Sequence, residues 1–131
     1  MKKNLLLMLL LLPSILSYGQ HKKKNEELPP PRVWIANIPS YNTTLKEIMA
    51  NTKLITDSVG CRVSGFSISL EAPGHPFYGP LYSNTEDYTQ VQKDVIKTWD
   101  YDSVTFYIED IHLNCHEQDA VSNPVIYKFS H

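Results

Sequence analysis

Glycine is scarce: five in 131 residues, none spaced as GxGxxG or GxxxxGK[ST]. Without such a loop no run of backbone N–H groups is set to cradle a phosphate, which excludes the usual nucleotide-dependent enzymes. Positive charge is also short. Setting aside Lys2 and Lys3 with an expected leader leaves 10 basic side chains (12 − 2) against 14 acidic ones, a net charge of −4. That balance offers no electrostatic footprint for a phosphate backbone, so no nucleic-acid partner is expected. Long apolar runs are missing too. The longest, Leu5 to Leu12, stops after eight residues at Pro13, whereas a membrane-crossing helix needs about 20. Cysteine is limited to Cys61 and Cys115, which form no CxxC pair of the kind that marks most zinc sites.

What is present is a core and a leader. Apolar residues make up 42% and aromatic residues 11% of the chain, enough to pack one domain and to argue against wholesale disorder. Lys2 and Lys3, the leucine run extended by Ile15 and Leu16, and small residues at Ser17 and Gly19 have the three parts of a secretory signal. Cleavage is expected before Gln20. The organisation expected is a signal peptide over 1–19, a polar, Pro-rich linker over 20–31, and one β domain over 32–131. The linker holds three lysines and three consecutive prolines with almost nothing to bury, the composition of an extended spacer. The product is expected in the periplasm or outside the cell, with no membrane span once the signal is removed.

Along the domain the apolar pattern marks short elements. Arg32 to Ala36 predicts a strand, and Thr44 with Glu47 predicts a capping box opening a two-turn helix. Lys53 to Thr56 reads as extended. Cys61 to Leu70 changes the parity of its apolar residues at Gly65, which predicts a β-bulge there. Glu71 to Ser83, with Pro73, Pro76, Pro80, Gly74 and Gly79, reads as loop or irregular edge in which only the neighbourhood of Leu81 pairs. Thr89 with Gln92 predicts a second capping box, on a helix ending near Trp99. Val104 to Leu113 shifts parity near Glu109 and Asp110, predicting another bulge, and Val125, Tyr127 and Phe129 alternate as a closing strand. With no repeating βαβ order, these elements predict a mainly β fold: an antiparallel, immunoglobulin-like β-sandwich with one or two short helices. Its expected core is Trp34, Ile48, Phe66, Ile68, Leu70, Val95, Trp99, Val104, Phe106, Ile108, Tyr127 and Phe129.

The stretch Val63 to Ser69 (VSGFSIS), the capped helix from Thr89 to Trp99 and the run Val104 to Ile111 (VTFYIEDI) resemble the carboxy-terminal domain of the GldM/PorM family of Bacteroidetes gliding motility and type IX secretion. The likeness runs from about Pro31 to Phe129 and is most specific over Phe106 to Ile111. It implies an immunoglobulin-like periplasmic module that binds a protein rather than turning over a substrate, here as a free-standing exported relative with an envelope or secretion-machinery protein as partner.

Several residue groups carry candidate chemistry. His112, Cys115, His116, Glu117 and Asp119 crowd metal donors into eight residues, but at no standard zinc spacing, and a solvated polar loop is the favoured reading. Glu109 and Asp110 are adjacent carboxylates whose side chains diverge on a strand unless a bulge turns them together. Phe77, Tyr78, Tyr82 and Tyr88 form a candidate partner-binding loop, because tyrosines supply contact area at low entropy cost; the alternative is a satellite core under a folded-over loop. A disulfide is expected between Cys61 and Cys115, each at the end of a long strand in a chain bound for an oxidising compartment. No catalytic residue, metal or organic cofactor is expected. The leading function is a non-enzymatic protein-interaction module; the alternative is a carbohydrate or small-ligand binding module using the loop tyrosines, with a metal-dependent hydrolase third.

Overall fold

The computed structural model describes residues 30–131. The expected signal peptide and most of the linker lie outside the described residues. The elements run β1 (Val33–Ile35), β2 (Asn42–Thr44), α1 (Leu45–Ala50), β3 (Leu54–Thr56), β4 (Cys61–Ala72), β5 (His75–Ser83), α2 (Gln90–Thr98), β6 (Val104–Cys115), β7 (Gln118–Ser122) and β8 (Val125–Ser130). The chain is mainly β, as its sequence predicts. A six-stranded sheet has the order β2-β8-β6-β4-β5, with β7 also on β6, and β1 and β3 make a separate two-stranded sheet.

One face of the large sheet is apolar. Val104, Phe106 and Ile108 of β6, Val125, Tyr127 and Phe129 of β8, and Phe66, Ile68 and Leu70 of β4 are all buried. Against them pack Val33, Ile35 and Leu54 from the small sheet, Ile48 of α1 and Ile96 of α2. Of the expected core only Trp34 and Val95 are half-buried; they lean on it from the outside.

Both helices start at the predicted threonines. Thr44 Oγ1 accepts a hydrogen bond from Glu47 N at 3.2 Å, but the Glu47 carboxylate turns to the Thr43 hydroxyl, so the box is half made. At α2 the box is complete. Thr89 Oγ1 accepts from Gln92 N at 3.0 Å and Gln92 Oε1 accepts from Thr89 N at 2.9 Å. Gln92 is fully buried, and its Nε2 donates to Leu81 O at 2.8 Å, tying the helix to β5. Gln92→Leu removes both bonds and leaves the Leu81 carbonyl and the Thr89 amide short of partners. A loss of about 2 kcal/mol is expected, which a denaturant midpoint measures.

The two predicted bulges exist and face each other. β4 and β6 are antiparallel, with Val63 opposite Leu113, Gly65 opposite His112 and Ser67 opposite Glu109. The first step puts two residues of β4 against one of β6, and the second puts two against three. The insertions cancel, so Cys61 opposite Cys115 and Glu71 opposite Thr105 share one register. Asp110 takes up the β6 insertion at φ 50°, a left-handed conformation that aspartate tolerates. Gly65 leaves room for a close approach of β5: a Cβ there would lie 3.1 Å from the Ser83 carbonyl oxygen, so that strand would have to give by a few tenths of an ångström.

Three differences from the expected fold have physical causes. The stretch after Glu71 is the irregular edge of the two expected alternatives, but it pairs well beyond Leu81: β4 and β5 form a hairpin paired from Ala72 and His75 to Phe66 and Ser83, with register shifts on the way. Gly74 turns it at φ 79°, and the Gly79–Pro80 bond is cis. β5 is an edge strand, where a proline lacking its N–H is tolerated. The polar stretch after Cys115 is also a hairpin strand, β7, reached through His116 and Glu117, both at positive φ. Finally, β2 pairs with β8 in parallel, so the large sheet is mixed rather than wholly antiparallel.

Candidate functional site

Residues directly opposite one another on paired strands point to the same face. Ser69 of β4, Tyr107 of β6 and Ile126 of β8 are therefore on the face away from the core, as are Ser67 with Tyr82 and His112 with Val121. The Phe77 ring joins that face by packing on Tyr107, their centroids 6.0 Å apart. Among the described residues no element covers this side. It carries Phe77 at 54%, Tyr82 at 63%, Val121 at 65% and Ile126 at 48% exposure, all large apolar groups in water. Under them run Ser67 and Ser69, buried because the neighbouring strands overhang their small side chains.

The Tyr107 hydroxyl donates to Glu71 Oε2 at 3.2 Å. Partial desolvation and the Glu71 carboxylate both hold the phenol above its ordinary range, so Tyr107 is a neutral donor and an apolar surface at neutral pH.

Two shallow depressions flank the Phe77–Tyr107–Ile126 row. One, of about 620 Å³, lies at the hairpin end between Glu71, Gly74, Phe77, Thr105 and Lys128. The other, of about 880 Å³, lies over the paired bulges, walled by Tyr82 and Val121 and carrying Asn84, Asp110, His112 and Asp119. Asp110 reaches it because the bulge rotates it out of the alternation of Glu109, and Ser67 Oγ steadies it, 3.2 Å from Asp110 Oδ2. The same hydroxyl is 3.2 Å from Glu109 O.

The four aromatic residues of the expected binding loop are divided by this geometry. Phe77 and Tyr82 stand on the open face. Tyr78 points to the opposite side, 6.4 Å from the Trp99 ring at the end of α2. Tyr88 is removed from any surface: it is buried, between Phe66 and Phe106 with centroid distances of 6.0 and 6.2 Å. Tyr88 belongs instead to the main core itself, together with Phe66 and Phe106. Its apolar position follows from the turn Ser83 to Asp87, which Ser83 Oγ closes by donating to Asp87 O at 2.6 Å, bringing residue 88 over the sheet.

The metal-donor group is likewise divided. Cys115 is bonded to Cys61, with Cα atoms 4.0 Å apart. His112 and Asp119 are on the bulge depression, while His116 and Glu117 form the β6–β7 turn beside Gly60. Among the described residues no three His, Cys, Asp or Glu side chains are gathered to hold a metal ion. Tyr107, Ile126 and Val121 are the face residues that sequence reasoning missed. Their signal was the outward parity of β6, β7 and β8, opposite to the buried residues.

No family matches. A scan of the chain against protein families and a search of curated proteins each return no significant similarity.

Proposed function

We propose that this protein is an exported, non-enzymatic protein-interaction module of the cell envelope, a relative of the periplasmic carboxy-terminal domain of gliding-motility and type IX secretion proteins, and that it docks its partner on the open face of the large sheet. The observation that carries the reading is the row Phe77, Tyr107 and Ile126, which rises from three strands into one uncovered apolar strip. Aromatic groups clustered on a rigid sheet supply contact area at low ordering cost, and they are enriched at the centres of protein interfaces. The Cys61–Cys115 bond is compatible with export, as is the lack, among the described residues, of any helix long and apolar enough to cross a membrane.

Face docking is favoured over strand addition at the edge. A peptide adding to β5 needs N–H donors along it, and Pro76 and Pro80 have none. The other strands of this sheet that are paired on one side only, β2 and β7, are just three and five residues long. Affinity capture from envelope extract with the mature protein tests the reading. The double variant Phe77→Ser with Ile126→Ser, both exposed and outside the core, is expected to recover less than about one tenth of the partner captured by the unsubstituted protein. Equal recovery overturns the assignment of the face.

A further inference from the structure

The depression over the paired bulges differs in chemistry from the apolar row and does not depend on the protein-docking reading. Its volume, about 880 Å³, falls in the range of small-molecule sites, about 300 to 1,000 Å³. On one side stands the Tyr82 ring, well exposed and so presenting a free face. On the other is Val121. Between them are two carboxylates, Asp110 and Asp119, the Asn84 amide and the His112 imidazole.

This set of groups narrows the ligand. Asp110 and Asp119 repel a phosphate or other anion. A wholly apolar ligand would strip water from four polar side chains and give nothing back. A metal ion lacks a third donor in place. Sugar hydroxyls fit, because each both donates and accepts: carboxylates accept hydrogen bonds from them, and the amide and imidazole serve as donors or acceptors. The C–H face of a pyranose ring fits the exposed Tyr82. Ser67 holds the Asp110 carboxylate by Oδ2, which leaves Oδ1 for a ligand. The site also has a structural origin: the extra residue at each bulge widens the β4–β6 pairing and rotates Asp110 onto the face. A shallow, open depression suits internal units of a chain better than a single enclosed sugar. We propose that this depression binds a neutral oligosaccharide, with Tyr82 as the stacking platform and Asp110, Asn84, His112 and Asp119 hydrogen-bonding its hydroxyls.

The test is titration of the isotopically labelled mature protein, followed by amide NMR. The probes are cellohexaose, xylohexaose, maltohexaose, mannohexaose and tetra-N-acetylchitotetraose, each to 10 mM, with trilysine as a cationic control. At least one oligosaccharide is expected to give saturable shifts centred on Gly65, Tyr82, Asp110, His112 and Val121. Tyr82→Ala, at an exposed side chain, should weaken that binding at least tenfold with an unchanged melting temperature. Asp110→Asn, which keeps a residue suited to φ 50°, should weaken it several-fold. Phe77→Ser with Ile126→Ser should leave it unchanged, which separates this site from the protein-docking row. No saturable shift with any of the sugars, shifts centred elsewhere, undiminished binding by Tyr82→Ala, or a response to trilysine alone each overturns the proposal.

Discussion

Replacing Cys61 and Cys115 together by serine is expected to lower the melting temperature by roughly 15 to 30 °C, the largest effect of any change short of gutting the core. The bridge joins residues 54 apart in sequence. In the chain-entropy account, closing a loop of that length withholds about 4 kcal/mol of conformational freedom from the unfolded chain. A domain of about a hundred residues commonly has only 5 to 15 kcal/mol of total stability. The bridge also fastens the far end of the β4–β6 pair, where Val63 and Leu113 are the last buried residues of those strands. Thermal unfolding of the serine variant against the oxidised parent measures the effect, and reduction of the parent should reproduce it. A fall of under about 5 °C would show that the unfolded chain is already constrained without the bond.

The position of that bond links two bulges to one pair of sulfurs. Had only the Gly65 insertion been present, Cys61 would oppose a different residue of β6, and a one-residue slip also turns every side chain to the other face. The second insertion at Asp110 restores the register. Each bulge was legible on its own, because the apolar parity changes at Gly65 and again at Glu109–Asp110. Their opposition was not, since nothing in one strand's pattern names its partner. The capped helices were legible for a local reason: Thr89 and Gln92 bond within a single turn. β5 and β7 were hidden for another. Edge strands bury little, so His75–Ser83 and Gln118–Ser122 have no alternating apolar signature, and Pro76, Gly79 and Pro80 of β5 mimic a loop.

The candidate site was legible in the same uneven way. Phe77 and Tyr82 were visible as aromatic residues in a stretch with no core periodicity. Sequence proximity could not tell that Tyr78 turns to α2 while Tyr88 is drawn under the sheet. The open face itself is assembled from the outward parities of β4, β5, β6, β7 and β8, each unremarkable alone. Only pairing sets Ile126 beside Tyr107, and only a bulge sets Asp110 beside Tyr82.

Removing a phenolic oxygen is expected to have opposite effects at two buried tyrosines. Tyr127 is fully buried, and its hydroxyl accepts from Ile35 N at 2.9 Å and donates to Ile38 O at 3.0 Å. Those two bonds join the β1 end of the small sheet to β8 of the large one, across 92 and 89 residues of chain. Burial raises the affinity of this phenol for its proton, so the group is a neutral donor and acceptor. Tyr127→Phe leaves a buried amide and a buried carbonyl without that partner, each costing about 1 to 3 kcal/mol. A loss of about 3 kcal/mol is expected, or roughly 10 to 25 °C in melting temperature. Tyr88 is also buried, but its hydroxyl makes no hydrogen bond with any described residue, and desolvation pushes its proton affinity far up. Tyr88→Phe removes a buried oxygen that no described residue bonds and keeps the edge-to-face packing on Phe66 and Phe106. Stability should stay level or rise by about 1 kcal/mol. Denaturant midpoints of the two single variants and their double settle the comparison. Equal losses at both positions would mean that volume and ring contacts, rather than satisfied hydroxyls, hold the two sheets together.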